Sequence, residues 1–239
     1  MEQDFRIGDA VSYGWEQFKE NVGFYIAVVL IIFIAGAIPN FFTNMGVFVN
    51  SRGIVITFGV VFGIIAFIVG VFQNMAQTKI GLTACDQKPA DFTDLYSQYT
   101  KFLDMLVGSI LYFLIVLGGI ILLIVPGIYW AVKYHFWGYL VIDQGMSPVD
   151  AIKKSGQMTK GHWWHLFLFF LTMIGLGILG FLACCIGVFV TAPIIMISIA
   201  YVYRWLLAAS GTTAVMPPEQ FAAPPPAVPP AEPPTTPEA

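Results

Sequence analysis

Residues 161–203 read GHWWHLFLFFLTMIGLGILGFLACCIGVFVTAPIIMISIAYVY, and none of them is Asp, Glu, Lys or Arg. As a single helix this stretch would be about 65 Å long, which is roughly twice the thickness of the hydrocarbon core of a bilayer. It therefore predicts two membrane-spanning helices joined by a tight turn at 183–187. Two of the three cysteines, Cys184 and Cys185, fall in that turn.

The rest of the chain has the same apolar character. Of its 239 residues, 58% are hydrophobic and 10% are charged, whereas about a quarter of the residues in a soluble domain are charged. The turn signal Pro126-Gly127 divides one long apolar region into two arms, and Gly59-x-x-x-Gly63 predicts a packing seam against a neighbouring helix. We expect an all-α, polytopic membrane protein with six transmembrane helices within residues 1–210. The predicted spans are residues 22–42, 54–76, 105–125, 128–142, 163–182 and 188–208.

The basic residues divide unequally between the two sides of such a fold. Nine of the eleven Lys and Arg residues fall on the side that holds both termini, namely Arg6, Lys19, Lys79, Lys88, Lys101, Lys153, Lys154, Lys160 and Arg204. Basic residues concentrate in cytoplasmic connections, so we expect cytoplasmic termini and a bacterial cytoplasmic (inner) membrane location. The exceptions are Arg52, in an outer loop, and Lys133, inside the fourth span. The scattered charges form no continuous basic face, which argues against a nucleic acid partner.

Each odd-numbered span follows a polar segment in which Asp and Lys are ten residues apart. The pairs are Asp9 with Lys19, Asp91 with Lys101, and Asp150 with Lys160. This recurrence indicates three related units. Apolar residues at helical spacing predict that each segment is a cytoplasmic interfacial amphipathic helix whose apolar side faces the acyl chains. For the third helix, Ser147 is the predicted N-cap and Pro148 the first helical residue.

The third unit carries a resemblance to known proteins. The residues that carry it are Leu140-Val141-Ile142-Asp143, Ser147, Ala151, Ser155, Lys160-Gly161 and Trp163, with Pro126-Gly127 and Tyr203-Arg204. Over about residues 5 to 210 the chain resembles the membrane domain that accompanies some bacterial glycerophosphodiester phosphodiesterases, and related six-span bacterial proteins of uncharacterised function. The resemblance implies architecture alone, because the soluble phosphodiesterase barrel and its metal ligands are absent from this sequence.

Two ionisable residues of the fourth span are candidates for a ligand or transport site, since such residues are rarely placed in a membrane without a function. Lys133 is about 9 Å from the outer turn. Extension of its ammonium to the interface is therefore favoured over a substrate or ion role. His135 either shares a polar pocket with Lys133, which requires a locally irregular helix, or is a hydrogen-bonded residue of an aromatic belt.

The other candidates lie near the ends of spans. Arg204 and Lys160 are expected to contact lipid headgroups, although topology anchoring explains Arg204 equally well. His162 and His165 are spaced to present two nitrogens to one metal ion, but the sequence offers no third ligand. We therefore predict no metal, cofactor or catalytic site.

Residues 211–239 are rich in proline and contain no Lys or Arg. Such a sequence cannot build a core, so it predicts a disordered cytoplasmic tail. The tail is either a solvated spacer or a docking site for a proline-recognising protein partner.

The predicted function is non-enzymatic, because the spans offer no carboxylate for acid–base chemistry. The main hypothesis is a scaffold, regulatory or lipid-interacting module whose partners are membrane lipids. The alternative is a small transporter or channel that uses Lys133 and His135. The sequence does not predict an oligomeric state.

Overall fold

The computed structural model describes residues 5–45, 52–86, 92, 98–183 and 186–211. Within these ranges every regular element is a helix, which confirms the all-α class. The helices are α1 Ile7–Glu20, α2 Val22–Met45, α3 Arg52–Cys85, α4 Phe102–Leu122, α5 Ile124–Tyr134, α6 Trp137–Gln144, α7 Pro148–Met158, α8 Trp163–Leu182 and α9 Ile186–Ala209. The predicted proline-rich tail lies outside the described residues from position 212 onward.

Five helices, α2, α3, α4, α8 and α9, are long and apolar enough to cross a membrane, as expected of a multi-pass membrane protein. α8 has the bounds predicted for the fifth span. α3 continues nine residues past the predicted end at 76, because Ile80, Leu82 and Cys85 remain buried in the bundle. The turn between α8 and α9 falls where it was predicted, although Cys184 and Cys185 themselves lie outside the described residues.

The region of the fourth predicted span, 128–142, is not one continuous helix. α5 ends at Tyr134 and α6 begins at Trp137, and each is too short to cross a membrane alone. Hydroxyls at and just after the end of α7 explain the break. Ser155 donates to the carbonyl oxygen of Lys133 at 3.2 Å, and the hydroxyl of Thr159 lies 3.0 Å from both that oxygen and the carbonyl oxygen of Ser155, between which it shares its one hydrogen. These bonds replace the one that the Trp137 amide would donate in a continuous helix.

The α4–α5 hairpin turns at Leu123, three residues before Pro126. Leu123 is extended, and Pro126 lies in the first turn of α5, where its missing amide hydrogen needs no helical partner. The two helices approach closely at Gly119, where an ideal Cβ would lie 2.8 Å from the Cα of Gly127. Glycine is therefore required for this hairpin to close.

The first interfacial helix, α1, packs against protein. Its buried residues are Ala10, Gly14 and Phe18, and its main neighbour is the second half of α9. The hydroxyl of Ser198 donates to the carbonyl oxygen of Ala10 at 2.9 Å. An ideal Cβ on Gly14 would lie 2.6 Å from that hydroxyl oxygen. The predicted contact of this face with acyl chains is wrong, because small residues let α1 lie directly on α9.

The third interfacial helix, α7, begins where it was predicted. The hydroxyl oxygen of Ser147 accepts a hydrogen bond from the amide of Asp150 at 3.3 Å, and Pro148 is the first helical residue. The buried face of α7 packs mainly against α4, α5 and α6. Most of the second predicted interfacial helix, between Asp91 and Lys101, lies outside the described residues.

α9 is the centre of the bundle. In the most apolar 18-residue window of α9, 67% of the residues are buried. The corresponding windows of α3 and α2 are 6% and 17% buried. α1, α2, α3 and α8 pack around it, while α4, α5, α6 and α7 form a second group. The two groups meet where α3 contacts α4 and α6, where α8 contacts α5, and where α9 contacts α7.

Candidate functional site: a cavity with an ion triad at one end

A cavity of about 720 Å³ lies where the two helix groups meet, within the usual size range of a small-molecule site. Helices α3, α4, α6 and α9 and the break between α5 and α6 supply its walls. Its lining residues are Ala66, Phe67, Gly70, Val71, Asn74, Gln77, Thr78, Ser109, Tyr112, His135, Trp137, Gly138, Tyr139, Ala192, Ile195, Met196 and Ile199. The cavity is open on the side of α3, where Phe67 and Asn74 are exposed.

Most of the polar side chains that line this cavity have no hydrogen bond among the described residues. Within the described part of the chain, Asn74, Gln77, Ser109 and His135 have no side-chain hydrogen-bond partner. The first three belong to helices that are long and apolar enough to cross a membrane. A polar group left unpaired in hydrocarbon costs considerable free energy. These groups therefore require water or the polar part of a ligand.

The chemistry of the walls limits what the cavity can hold. Most lining residues are apolar, and none is Asp, Glu, Lys or Arg. An anion or a metal ion would enter without an opposite charge to offset its lost hydration. In the described ranges, no group of three or more His, Cys, Asp or Glu side chains is placed to hold a metal ion. The walls suit a neutral molecule that has both an apolar and a hydrogen-bonding part.

An ion cluster joins three of the same helices. The guanidinium of Arg204 in α9 lies 2.8 Å from Asp86, which follows α3, and 2.9 Å from Asp143 in α6. We call Asp86, Asp143 and Arg204 the ion triad. Arg204 is only 8% exposed, and hydrogen bonds between ionised groups are the stronger class. The triad therefore ties α3, α6 and α9 together.

The ion triad lies beyond one end of the cavity. The last cavity-lining residues of α3, α6 and α9 are Thr78, Tyr139 and Ile199, and the triad follows them by about 12, 6 and 8 Å of chain at helical rise. Tyr139 also packs against Tyr203, with ring centroids 5.2 Å apart. The hydroxyl of Tyr203 donates to the carboxylate of Asp143 at 2.9 Å. The cavity wall thus connects to the triad through two aromatic rings.

Lys133, the first sequence candidate, does not line the cavity. Its ammonium lies 5.5 and 5.4 Å from the ring centroids of Tyr129 and Tyr134. Its Cε would be 3.3 Å from a Cβ on Gly156 of α7, so its stem lies beside a helix of the predicted inner connection. Extension of its ammonium to the interface stays a prediction. Of the two alternatives for His135, the pocket shared with Lys133 is not the cavity seen here, because Lys133 is absent from its lining.

His135 reaches the cavity without Lys133. It lies at the helix break, so the local irregularity that its pocket required is present. Its ring makes edge contacts with Phe136 and Phe170, at centroid distances of 5.5 and 4.5 Å. His135 is therefore the sequence-predicted residue that the fold brings to the cavity.

The other predicted residues lie elsewhere. The guanidinium of Arg204 pairs with two carboxylates of the protein, whereas Lys160 is exposed in the turn after α7. His162 packs against the ring of Trp205 at 5.1 Å.

Gly59 and Gly63 do not form a seam among the residues that the structure describes. An ideal Cβ on either would have no neighbour within 4 Å there. The predicted packing of a neighbouring helix against these glycines is therefore not seen in the described part of the chain.

The chain has mycobacterial relatives. Uncharacterized protein Mb2590 of Mycobacterium bovis and Uncharacterized protein Rv2560 of Mycobacterium tuberculosis are each 24% identical to it over 244 residues. Each match covers 92% of this chain and 74% of the relative. No family model and no solved structure matches. Neither name mentions a phosphodiesterase, so the resemblance to that membrane domain stays a prediction.

Sequence reasoning missed Asp86 and Gln77 as site residues, although both left a signal. In the sequence, Asp86-Gln87 follows the second span of the first predicted unit. Asp143-Gln144 follows the second span of the second unit in the same way. Gln77 is three residues after Asn74, which places both amides on one face of a helix. Because the second span was predicted to end at residue 76, Gln77 was not placed on the same helix face as Asn74.

Proposed function

We propose that this protein binds a membrane lipid in the cavity between α3, α4, α6 and α9 and acts as a non-enzymatic, lipid-interacting module. The supporting observation is that unpaired side chains, among them Asn74, Gln77, Ser109 and His135, lie on a largely apolar wall. A lipid supplies both kinds of partner. Its ester or hydroxyl oxygens pair with the polar groups, and its acyl chain covers the apolar wall.

The lipid that suits this cavity is neutral. A phosphate would lie among residues that carry no formal positive charge, so it would lose hydration without gaining an ion pair. A diacylglycerol carries ester carbonyls and one hydroxyl, which match amide and imidazole groups in number and type. We therefore favour neutral acylglycerols over phospholipids.

Transport of the same ligand is the second candidate, because the helix break at 135–136 forms part of the cavity wall. Interrupted helices at a binding site are common in secondary transporters. Movement of a fluorescent diacylglycerol between the leaflets of proteoliposomes would distinguish the two. Transport predicts faster movement than in empty liposomes, and a binding module predicts no difference.

The topology that accompanies this proposal has six crossings and cytoplasmic termini in a bacterial inner membrane. Residues 124–144 would rise about 30 Å if their two helices were collinear, which supports α5 and α6 as one bent fourth crossing. The distribution of basic residues supports the orientation. The tail remains a spacer or a docking site for a protein partner.

Photo-crosslinking tests the proposed ligand. Protein in phospholipid nanodiscs is exposed to a photoactivatable diacylglycerol or a photoactivatable phosphatidylglycerol, and crosslinked peptides are mapped by mass spectrometry. We expect diacylglycerol to concentrate on the cavity-lining peptides of α3 and α6. Phosphatidylglycerol should mark the exposed outer faces instead.

Two glycine variants supply the controls. A Cβ on Gly138 would meet only ordinary contacts, 3.4 Å from Met105 and 3.7 Å from Asn74, whereas one on Gly118 would meet nothing within 4 Å. Gly138→Leu should therefore fill the cavity and abolish its crosslinks, and Gly118→Leu should leave them. Equal labelling by the two probes, or cavity labelling that survives Gly138→Leu, would refute the proposed site.

A further inference from the structure

The members of the ion triad occupy equivalent places in the three repeated units. Each unit is a polar segment followed by two predicted spans, and Asp86, Asp143 and Arg204 lie at or near the end of the last helix of the first, second and third unit, α3, α6 and α9. Their helices, α3, α6 and α9, also supply three walls of the cavity. One ion cluster thus joins all three units at the same end of the cavity.

We propose that the ion triad is a latch that closes the inner end of the cavity and opens when the ligand enters or leaves. This inference rests on the proposed function, because it describes how access to that cavity is regulated. The closed state is the one in the structure, in which Arg204 holds both carboxylates at 2.8 and 2.9 Å.

The exposure of the triad fits a latch. The side chains of Asp86 and Asp143 are 20% and 19% exposed, against 9% for Arg204. Water therefore reaches both carboxylates and can hydrate them when the pairs separate, which lowers the free-energy cost of opening relative to a fully buried ion pair. The Nε of Arg204 is buried and has no hydrogen-bond acceptor among the described residues, so the closed cluster leaves one donor unsatisfied.

A direct path links the ligand to the latch. Tyr139 lines the cavity and packs on Tyr203, which donates to Asp143. A ligand that displaces the ring of Tyr139 would move Tyr203 and weaken the hold on Asp143. α6 is the wall best placed to move, because the break at 135–136 separates it from α5.

Cysteine accessibility tests the latch without any ligand. Ala192 in the cavity wall is replaced by Cys in a background where Cys85, Cys184 and Cys185 are Ala. Labelling by a charged, membrane-impermeant thiol reagent is followed in sealed vesicles of either orientation. Met173→Cys, at a core position of α8 that is 4% exposed, reports general unfolding.

The latch predicts that Arg204→Gln raises the labelling rate of Ala192→Cys about tenfold from the side that carries the triad, and leaves Met173→Cys unlabelled. The double variant Arg204→Asp with Asp143→Arg, which restores one ion pair, should bring the rate back toward that of the parent.

An unchanged labelling rate at position 192 would overturn the latch. An equal rise at positions 192 and 173 would also overturn it, because it indicates loosening of the whole bundle. If labelling responds but no diacylglycerol crosslinks to the cavity, the latch stands and the proposed ligand is wrong.

Discussion

The guanidinium of Arg204 lies 2.8 Å from the carboxylate of Asp86, which precedes it by 118 residues in the chain. The same guanidinium holds Asp143, so one side chain joins the ends of three helices, one from each of the three units that the sequence predicts. Arg204 suits this role because its planar fork presents separate N–H groups to two carboxylates. The structure therefore turns a residue expected to contact lipid into an internal link.

Removal of Arg204 should destabilise the protein strongly. Arg204→Gln removes the positive charge that pairs with both carboxylates, and we expect a loss of about 3–5 kcal/mol in the free energy of unfolding. Arg204→Lys keeps the charge but cannot bridge both acids, so its loss should be smaller. Denaturant titration in detergent measures both, with the exposed Lys153→Gln as the neutral control. A value for Arg204→Gln within error of the control would contradict the structural role of the triad.

Tyr203 should strengthen the hold on Asp143. The carboxylate of Asp143 accepts hydrogen bonds from both Arg204 and Tyr203. We expect Tyr203→Phe to cost about 1 kcal/mol, the usual scale of one net hydrogen bond, and to cost much less in an Asp143→Ala background, where the acceptor is absent. Thermal unfolding of the two single variants and the double variant measures this difference. Equal costs of Tyr203→Phe in the two backgrounds would argue against the Tyr203 bond.

The α4–α5 hairpin should tolerate no side chain at Gly119. A Cβ there would meet the backbone of Gly127, which cannot move aside like a flexible side chain. We expect Gly119→Ala to cost about 1–3 kcal/mol. Gly59→Ala is the matched control, since its Cβ meets nothing within 4 Å and should gain up to about 1 kcal/mol from helix propensity. Equal melting temperatures for the two variants would show that the hairpin packs differently.

Docking of α1 on α9 should depend on Gly14. Gly14→Leu would place a side chain against Ser198 and Ile194, whereas Gly8→Leu on the same helix meets open space. We expect amide hydrogen exchange in α1 to accelerate about tenfold or more in the Gly14 variant, as for a locally opened element. The Gly8 variant should exchange like the parent. Unchanged exchange in Gly14→Leu would show that α1 does not depend on this contact.

Much of the fold followed from composition and periodicity. The uncharged run 161–203 predicted α8 and α9 with a short turn, because only two crossings accommodate that length of apolar chain. Ser147 and Pro148 predicted the start of α7, since capping is decided by residues close in sequence.

The cavity and the triad were not predictable in the same way. The break between α5 and α6 depends on hydroxyls of Ser155 and Thr159, which are distant in sequence and reach Lys133 only after α7 has packed. The pairing of Arg204 with Asp86 and Asp143 likewise needs three helix ends to meet. The dipeptide Asp-Gln, which occurs at 86–87 and again at 143–144, was the sequence feature that marked two of these helix ends.

Native mass spectrometry of the protein extracted from its membrane tests most directly whether the cavity holds a lipid. We expect the parent protein and Gly118→Leu to retain one neutral lipid, and Gly138→Leu, whose side chain enters the cavity, to lose it. A parent protein that carries no neutral lipid, or a Gly138→Leu variant that retains as much as the parent, would contradict the claim.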